Sequence, residues 1–215
     1  MIFRDRVEAG RQLAERLREY AGRDAIVLGI PRGGVVVAAE VARALGLPLD
    51  VIITRKIGAP GNPEYAIGAV AEDGEPVLNT VEVQLFAISP SYLRREVERV
   101  RQEVHRRAER YRQGRPLPRL EGKIVVVVDD GLATGYTMLA AVRAARARGA
   151  REIVVAVPVA SLDGMNLVDD EADRVVALQV PEVFLAVGSW YEEFPQVTDD
   201  EVLDLLARFR APTPT

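Results

Sequence analysis

Between Lys123 and Thr137 the chain reads KIVVVVDDGLATGYT, an order of residue types that chemistry can use. Two adjacent carboxylates, Asp129 and Asp130, follow the β-branched run 124–128. Gly131 and Gly135 let the backbone turn tightly and come close to a ligand. The segment Ala133, Thr134, Gly135, Tyr136, Thr137 leads into a helical run, and the first N–H groups of a helix lack internal partners. Together with the helix dipole they favour an anion at that end, and Thr134 and Thr137 add hydroxyl donors. Two neighbouring carboxylates would repel a phosphate. They suit sugar hydroxyls as hydrogen-bond acceptors, or a hydrated Mg²⁺ that they hold through water. A ribose 5-phosphate unit meets all of these requirements.

Such a constellation needs a rigid frame. The run 124–128 predicts a strand buried on both faces of a mainly parallel sheet, and Gly149 closes the helix that follows the loop. Upstream, AIVLGI over 25–30 is a second buried strand. It is followed by Pro31, Arg32, Gly33, Gly34 and a helix that Gly46 and Pro48 stop. The spacing of Gly29 to Gly34 approaches that of an NTPase phosphate loop. Val35 and Val36, however, stand where Lys and Ser/Thr would be needed, which argues against ATP binding of that kind. LDVIIT over 49–54 is read as a third strand, with Arg55 and Lys56 at its end, facing the crevice where parallel sheets bind ligands.

The string VVVVDDGLATGYT closely resembles the phosphoribosyl-diphosphate (PRPP) binding motif of type I phosphoribosyltransferases. The resemblance implies that Asp129 and Asp130 fix the ribose hydroxyls, while Ala133–Thr137 hold the 5-phosphate. PRGG is similar to the pyrophosphate loop of xanthine-type members, which implies that Arg32, Gly33 and Gly34 meet pyrophosphate across a cis Pro31–Arg32 bond. Arg55-Lys56 resembles the cationic pair that contacts pyrophosphate in adenine- and orotate-type members. The implied reaction moves phosphoribosyl from PRPP to a nitrogenous base, possible acceptors including a purine, with Mg²⁺ and release of pyrophosphate; Arg32, Lys56, Asp129 and Asp130 would be catalytic. Position 133, an aspartate in hypoxanthine/guanine-type members, is alanine here, so the acceptor is left open. The alternative is a non-catalytic PRPP sensor that binds RNA or another protein through an arginine-rich helix.

The implied fold is α/β: one domain over 1–215, with a twisted, mainly parallel sheet and helices on both faces. The remaining segments find places around it. RDRVEAGRQLAERLREY over 4–20 is amphipathic. The Gly- and Pro-rich stretch 57–88 is read as a mobile lid. In it a hairpin pairs 66–72 with 76–79 around Asp73-Gly74, and Glu64 and Tyr65 are the candidates to close over the site. Ser89 caps a long helix over about 90–113 whose apolar stripe is Leu93, Val97, Val100, Val104, Ala108 and Tyr111. That helix packs on the core or forms a dimer. A basic face of Arg94, Arg95, Arg99, Arg106, Arg107 and Arg110 is the sharper alternative, and His105 is expected to be exposed. Strands over 152–159 and 174–178 follow. A hood over about 181–197 would offer Phe184, Trp190 and Tyr191 to the acceptor base. Thr198 caps a last helix, and the tail APTPT is expected to be disordered.

Composition narrows the chemistry. The 215 residues hold no cysteine, which removes disulfides, thiol nucleophiles and thiolate metal sites. A single histidine, His105, cannot supply a His-based metal centre or a serine-type triad. A net charge of −4 lends no support to nucleic-acid binding. No apolar run is long enough for a bilayer, and the expectations are a cytoplasmic protein, no membrane partner and a homo-oligomer, as a dimer.

Overall fold

The computed structural model describes residues 1–210; the expectation for the APTPT tail concerns residues outside these. Asp5 caps α1 (Arg6–Glu15) by accepting from the Glu8 amide, and a 3-10 turn, Arg18–Tyr20, continues the expected amphipathic stretch in a tighter form. Next come β1 (Ala25–Gly29), α2 (Gly33–Leu45) and β2 (Leu49–Val51). The next three strands are β3 (Thr54–Ala59), β4 (Asn62–Ala71) and β5 (Val77–Leu78). They lead to α3 (Thr80–Leu85) and α4 (Pro90–Arg112), each with the side chain of its preceding residue, Asn79 or Ser89, on the first turn. The remainder alternates: β6 (Ile124–Val128), α5 (Tyr136–Ala147), β7 (Glu152–Val159), α6 (Leu162–Asp169), β8 (Arg174–Gln179). After a 3-10 turn at Val187–Trp190, Thr198 and Glu201 form a capping box on α7 (Asp199–Phe209).

Five strands form an all-parallel sheet in the order β2-β1-β6-β7-β8, so the expected α/β fold with helices on both faces is present. Period-two alternation divides its side chains between two cores. Val27, Val126 and Val154 join Leu13, Val37, Val100 and Val202 of α1, α2, α4 and α7 on one face. Ile26, Val125 and Val155 meet Leu139 and Val168 of α5 and α6 on the other. This is why both faces of β6 had to be β-branched. The order of strands reverses between β1 and β6, and the loops leaving their carboxyl ends are 30–32 and 129–135, each running into a helix. In open sheets that reversal opens the ligand crevice.

Two expectations are corrected. Leu49–Thr54 is not one strand: Ile52 still bonds Gly29, but the Ile53 carbonyl already accepts from Glu72, so the chain changes sheets there. Arg55 and Lys56 therefore ride on β3, the first strand of an antiparallel sheet ordered β3-β4-β5. The stretch after Ile57, expected as a mobile loop, is instead a hairpin: Thr54 pairs with Ala71 and Ala59 with Asn62. Only Pro60-Gly61 turns, with Gly61 at φ +73°. The expected pairing around Asp73-Gly74 is present but short, Gly68 with Leu78 and Ala69 with Val77.

Candidate functional site

A cavity of about 460 Å³ opens at the strand reversal. Ile30 and Pro31 line it from the loop after β1, Asp129 and Thr137 from the loop after β6. The β3–β4 hairpin contributes Thr54, Arg55, Lys56, Gly58, Pro63 and Glu64. The third wall is α4, through Glu96, Arg99 and Arg107. Thr54 buries its hydroxyl here without a hydrogen-bond partner among the described residues. Of the two candidates to close over the site, Glu64 faces the cavity. Tyr65 turns away, donating to Glu82 at 2.6 Å and meeting Phe86 edge-on.

The loop after β6 is fastened from below. Leu132 bonds Val159, Ser161 bonds Leu132, and the Ser161 hydroxyl donates to the Ala133 carbonyl. Gly135, at φ +90°, lies so close to α6 that a Cβ there would be 2.9 Å from the Gly164 carbonyl. Ala133 and Thr134 are left exposed, and no N–H from Ala133 to Thr137 has an acceptor among the described residues. The turn thus leaves free amides at the start of α5, the arrangement that holds an anion.

The two acids face different surroundings. Asp129 lines the cavity, one carboxylate oxygen accepting from the Asp130 amide at 2.8 Å. Burial, and then the charge of Asp130, hold its pKa well above the usual carboxylate range. Asp130 is instead tied to Arg6 of α1, whose Nε donates at 2.8 Å to Asp130 Oδ2. Arg6 is itself buried, donates to the Pro195 carbonyl at 2.7 Å, and lies 3.8 Å over the Phe194 ring. One oxygen of Asp130 is thus engaged inside the protein.

Arg32 is not among the cavity-lining residues, although the peptide bond before it is cis. It stands close enough to α4 and α7 for its charge to act on Tyr111 and Asp199. Gly33 and Gly34 pack beneath the acids: a Cβ on Gly34 would be 2.8 Å from Asp129 Oδ1, and one on Gly33 would overlap Asp130 Oδ2. Arg55 pairs with Glu103 of α4, while Lys56 is exposed.

In the hood, Val187 rests on Gly131, where a Cβ would lie 2.5 Å from Val187 Cγ1. Tyr191 does not offer a face to a base. Its ring stacks on Phe194 at 4.9 Å, tilts against Phe3 at 5.6 Å, and its hydroxyl donates to the Asp130 carbonyl at 2.5 Å. Burial raises its pKa strongly. Trp190 packs beside this cluster with its indole N–H buried and unpartnered among the described residues, and Phe184 is half-buried.

Sequence reasoning missed Arg6 altogether, since nothing in RDRVEAG marks one arginine as internal. It named Arg99 and Arg107 only as part of a basic face. The spacing Glu96, Arg99, Glu103, Arg107 was the available signal, because it sets one stripe of α4 along the hairpin that carries Arg55. His105 is exposed, as expected. Among the described residues no helix is long and apolar enough to cross a membrane.

Comparison with known proteins agrees with this architecture. Residues 4–193 match the family model described as phosphoribosyl transferase domain. Two Mycobacterium tuberculosis proteins named putative phosphoribosyl transferase, MT0597 and Rv0571c, are each 47% identical over 207 residues, 96% of this chain and 47% of theirs. The chain thus spans about half the length of the curated relatives it matches. The crystal structure of TT1426 from Thermus thermophilus shares 50% identity and a TM-score of 0.83, covering 98% of this chain and all of that one. With nearly its whole length matched, the chain belongs to the phosphoribosyl transferase domain family.

Proposed function

We propose that this domain transfers the 5-phosphoribosyl group of PRPP to a nitrogenous base and releases pyrophosphate. The observation that carries the reading is the juxtaposition at the β1/β6 reversal. The turn 133–137, with its free amides, reaches the cavity through Thr137, and the half-buried carboxylate of Asp129 and the cations Arg55, Lys56, Arg99 and Arg107 line it. These are the partners that a phosphate, ribose hydroxyls and a diphosphate require.

In this reading the 5-phosphate is the remote anchor, taken by the 133–137 turn and by the hydroxyls of Thr134 and Thr137, and it fixes the sugar for reaction. Asp129 accepts from the ribose hydroxyls and, once ionised, supports positive charge as the bond to the leaving group loosens. Asp130, immobilised by Arg6, holds the turn and the hood in register. Lys56, Arg55 and Arg107 neutralise the departing diphosphate, with Arg32 at its edge. The hairpin with Glu64 excludes water. Trp190 and Phe184 remain for the acceptor, whereas Tyr191 positions Asp130.

The residues fit Mg²⁺ in the way such sites hold it. No group of three or more acidic or histidine ligands exists among the described residues, so the protein alone forms no cage. One or two carboxylates beside a diphosphate site, here Asp129, are donors that Mg²⁺ uses, with water and substrate oxygens completing the set. When bound, it would supply charge neutralisation at the diphosphate, next to Asp129.

The sensor reading is disfavoured by the charge pattern of α4. Arg99 is held by Glu96 and Glu103, and Arg110 by Asp199, so the arginine face is partly neutralised from within. Incubation with PRPP, Mg²⁺ and a panel of bases decides between the two. Pyrophosphate release dependent on one base is expected. Tight PRPP binding with no release from any base, together with salt-sensitive RNA binding, would overturn the catalytic reading.

A further inference from the structure

A second cavity, of about 330 Å³, adjoins the first and shares Arg55 and Arg107 with it. Its other walls are Glu103, Arg106 and Arg110 of α4 and Asp199 at the start of α7, so four guanidinium groups face two carboxylates. Both carboxylates are committed: Glu103 to Arg55 and Arg99, Asp199 to Arg110 at 2.9 Å and to the Tyr111 hydroxyl. Arg106, Arg107 and nearby Arg32 have no carboxylate partner among the described residues. The hydrogen bond from Tyr111 lowers the pKa of Asp199, and the charges of Arg110, Arg32 and Arg107 lower it further; Arg110 touches that acid and Arg107 shares its cavity. Like charges gathered this closely repel one another unless an anion sits among them. A single diphosphate beside Lys56 and Asp129 leaves Arg106 without an anionic partner and Arg110 with Asp199 alone.

The geometry points to a polyphosphate-binding annex: a linked chain of three or more phosphates lies across both cavities, its first two phosphates between Lys56 and Arg107 and the rest among Arg107, Arg106 and Arg110. Guanidinium groups suit this ligand because their planar forks take two phosphate oxygens each. The chain is either an inorganic polyphosphate or the tail of a nucleoside 5′-triphosphate. Such a ligand would exclude PRPP and so inhibit the domain. The assignment rests on the first cavity being the diphosphate site.

The test is calorimetric titration of the full chain with pyrophosphate, tripolyphosphate, ATP and PRPP, at about 0.15 M salt with Mg²⁺. Tripolyphosphate should bind at least tenfold more tightly than pyrophosphate. Arg106→Gln with Arg110→Gln should bring that ratio near one, with pyrophosphate and PRPP affinity changed less than twofold. Both side chains are exposed, so the variant should melt with the wild type; if it does not, Arg106→Gln alone should lower the ratio at least threefold. ATP binding as tight as tripolyphosphate identifies a nucleotide source, and tripolyphosphate alone an inorganic one. Equal affinity for pyrophosphate and tripolyphosphate, or a preference that the substitutions leave intact, overturns the annex. Loss of PRPP binding alone would instead strike the functional reading.

Discussion

Replacing Arg112 with methionine should be among the most damaging single changes outside the site. Arg112 ends α4 with its side chain only 4% exposed, and it grips Glu72, 7% exposed, at the end of β4 through both terminal nitrogens. Nη2 also donates to the Val51 carbonyl at 2.7 Å, and Nε lies 3.4 Å from Asp50, so one side chain ties the long helix to both sheets. Removing it strands the Glu72 carboxylate in the interior, which costs about 3–5 kcal/mol. At about 2–4 °C per kcal/mol for a domain of this size, the melting temperature should fall by roughly 6–20 °C. Glu72→Leu together with Arg112→Met removes the stranded Glu72 charge and should recover part of that loss, the remainder reflecting Asp50 and the Val51 carbonyl, which still lack their partner. Thermal unfolding by circular dichroism measures both. A drop below about 2 °C for Arg112→Met, or a double variant no better than the single, would refute the argument that the stranded charge is the cause.

Asp129→Asn should separate stability from function. The folded pKa of Asp129 is raised, so its contribution is fully present below the unfolded carboxylate value and is lost as pH rises through the folded one. At neutral pH the variant should therefore melt above the ligand-free wild type and at acid pH level with it, while PRPP affinity falls roughly 10- to 100-fold for a lost charged hydrogen bond. A variant that melts below wild type at pH 7 would contradict this. Gly33→Ala should break the Arg6–Asp130 pair and cost about 1–3 kcal/mol by overpacking; an unshifted melting curve would show that the loop gives way freely. Trp190 emission should change when the acceptor joins the PRPP-loaded protein, since its indole N–H is unpartnered. Emission that stays constant during turnover would remove Trp190 from the acceptor site.

The sheet was legible because its information is local. Five β-branched residues at 124–128, followed by acids and glycines, state strand, surfacing point and turn within one short window. Ser89 and Thr198 cap their helices for the same reason. What escaped depends on residues far apart in sequence. Whether 57–65 is a loop or a hairpin turns on β3 finding β4 with only Pro60-Gly61 between them, and the Gly and Pro count of the stretch outweighed its pairing. Arg55 and Lys56 reach the crevice, but from the second sheet, because the chain crosses over at Ile53. Arg6 lies 124 positions from the acid it holds, and no periodicity reports that distance.

The same long-range packing changes what the glycine pair after β1 is for. Read in isolation, Gly33 and Gly34 let backbone amides approach a diphosphate. In the fold, each has a carboxylate from the neighbouring loop where its own side chain would be, Gly34 beneath Asp129 and Gly33 beneath Asp130. The two loops therefore interlock before any ligand arrives. The acids can sit at the strand reversal only because the opposing residues have no Cβ, and the same close fit brings Asp130 within reach of Arg6. A site of this kind is built as one unit: loosening the loop after β1 would free Asp130, release α1 and the hood from the turn, and shift Asp129 in the cavity wall. Ligand-binding motifs on separate strands are then coupled by packing, and their glycines answer to each other as much as to the substrate.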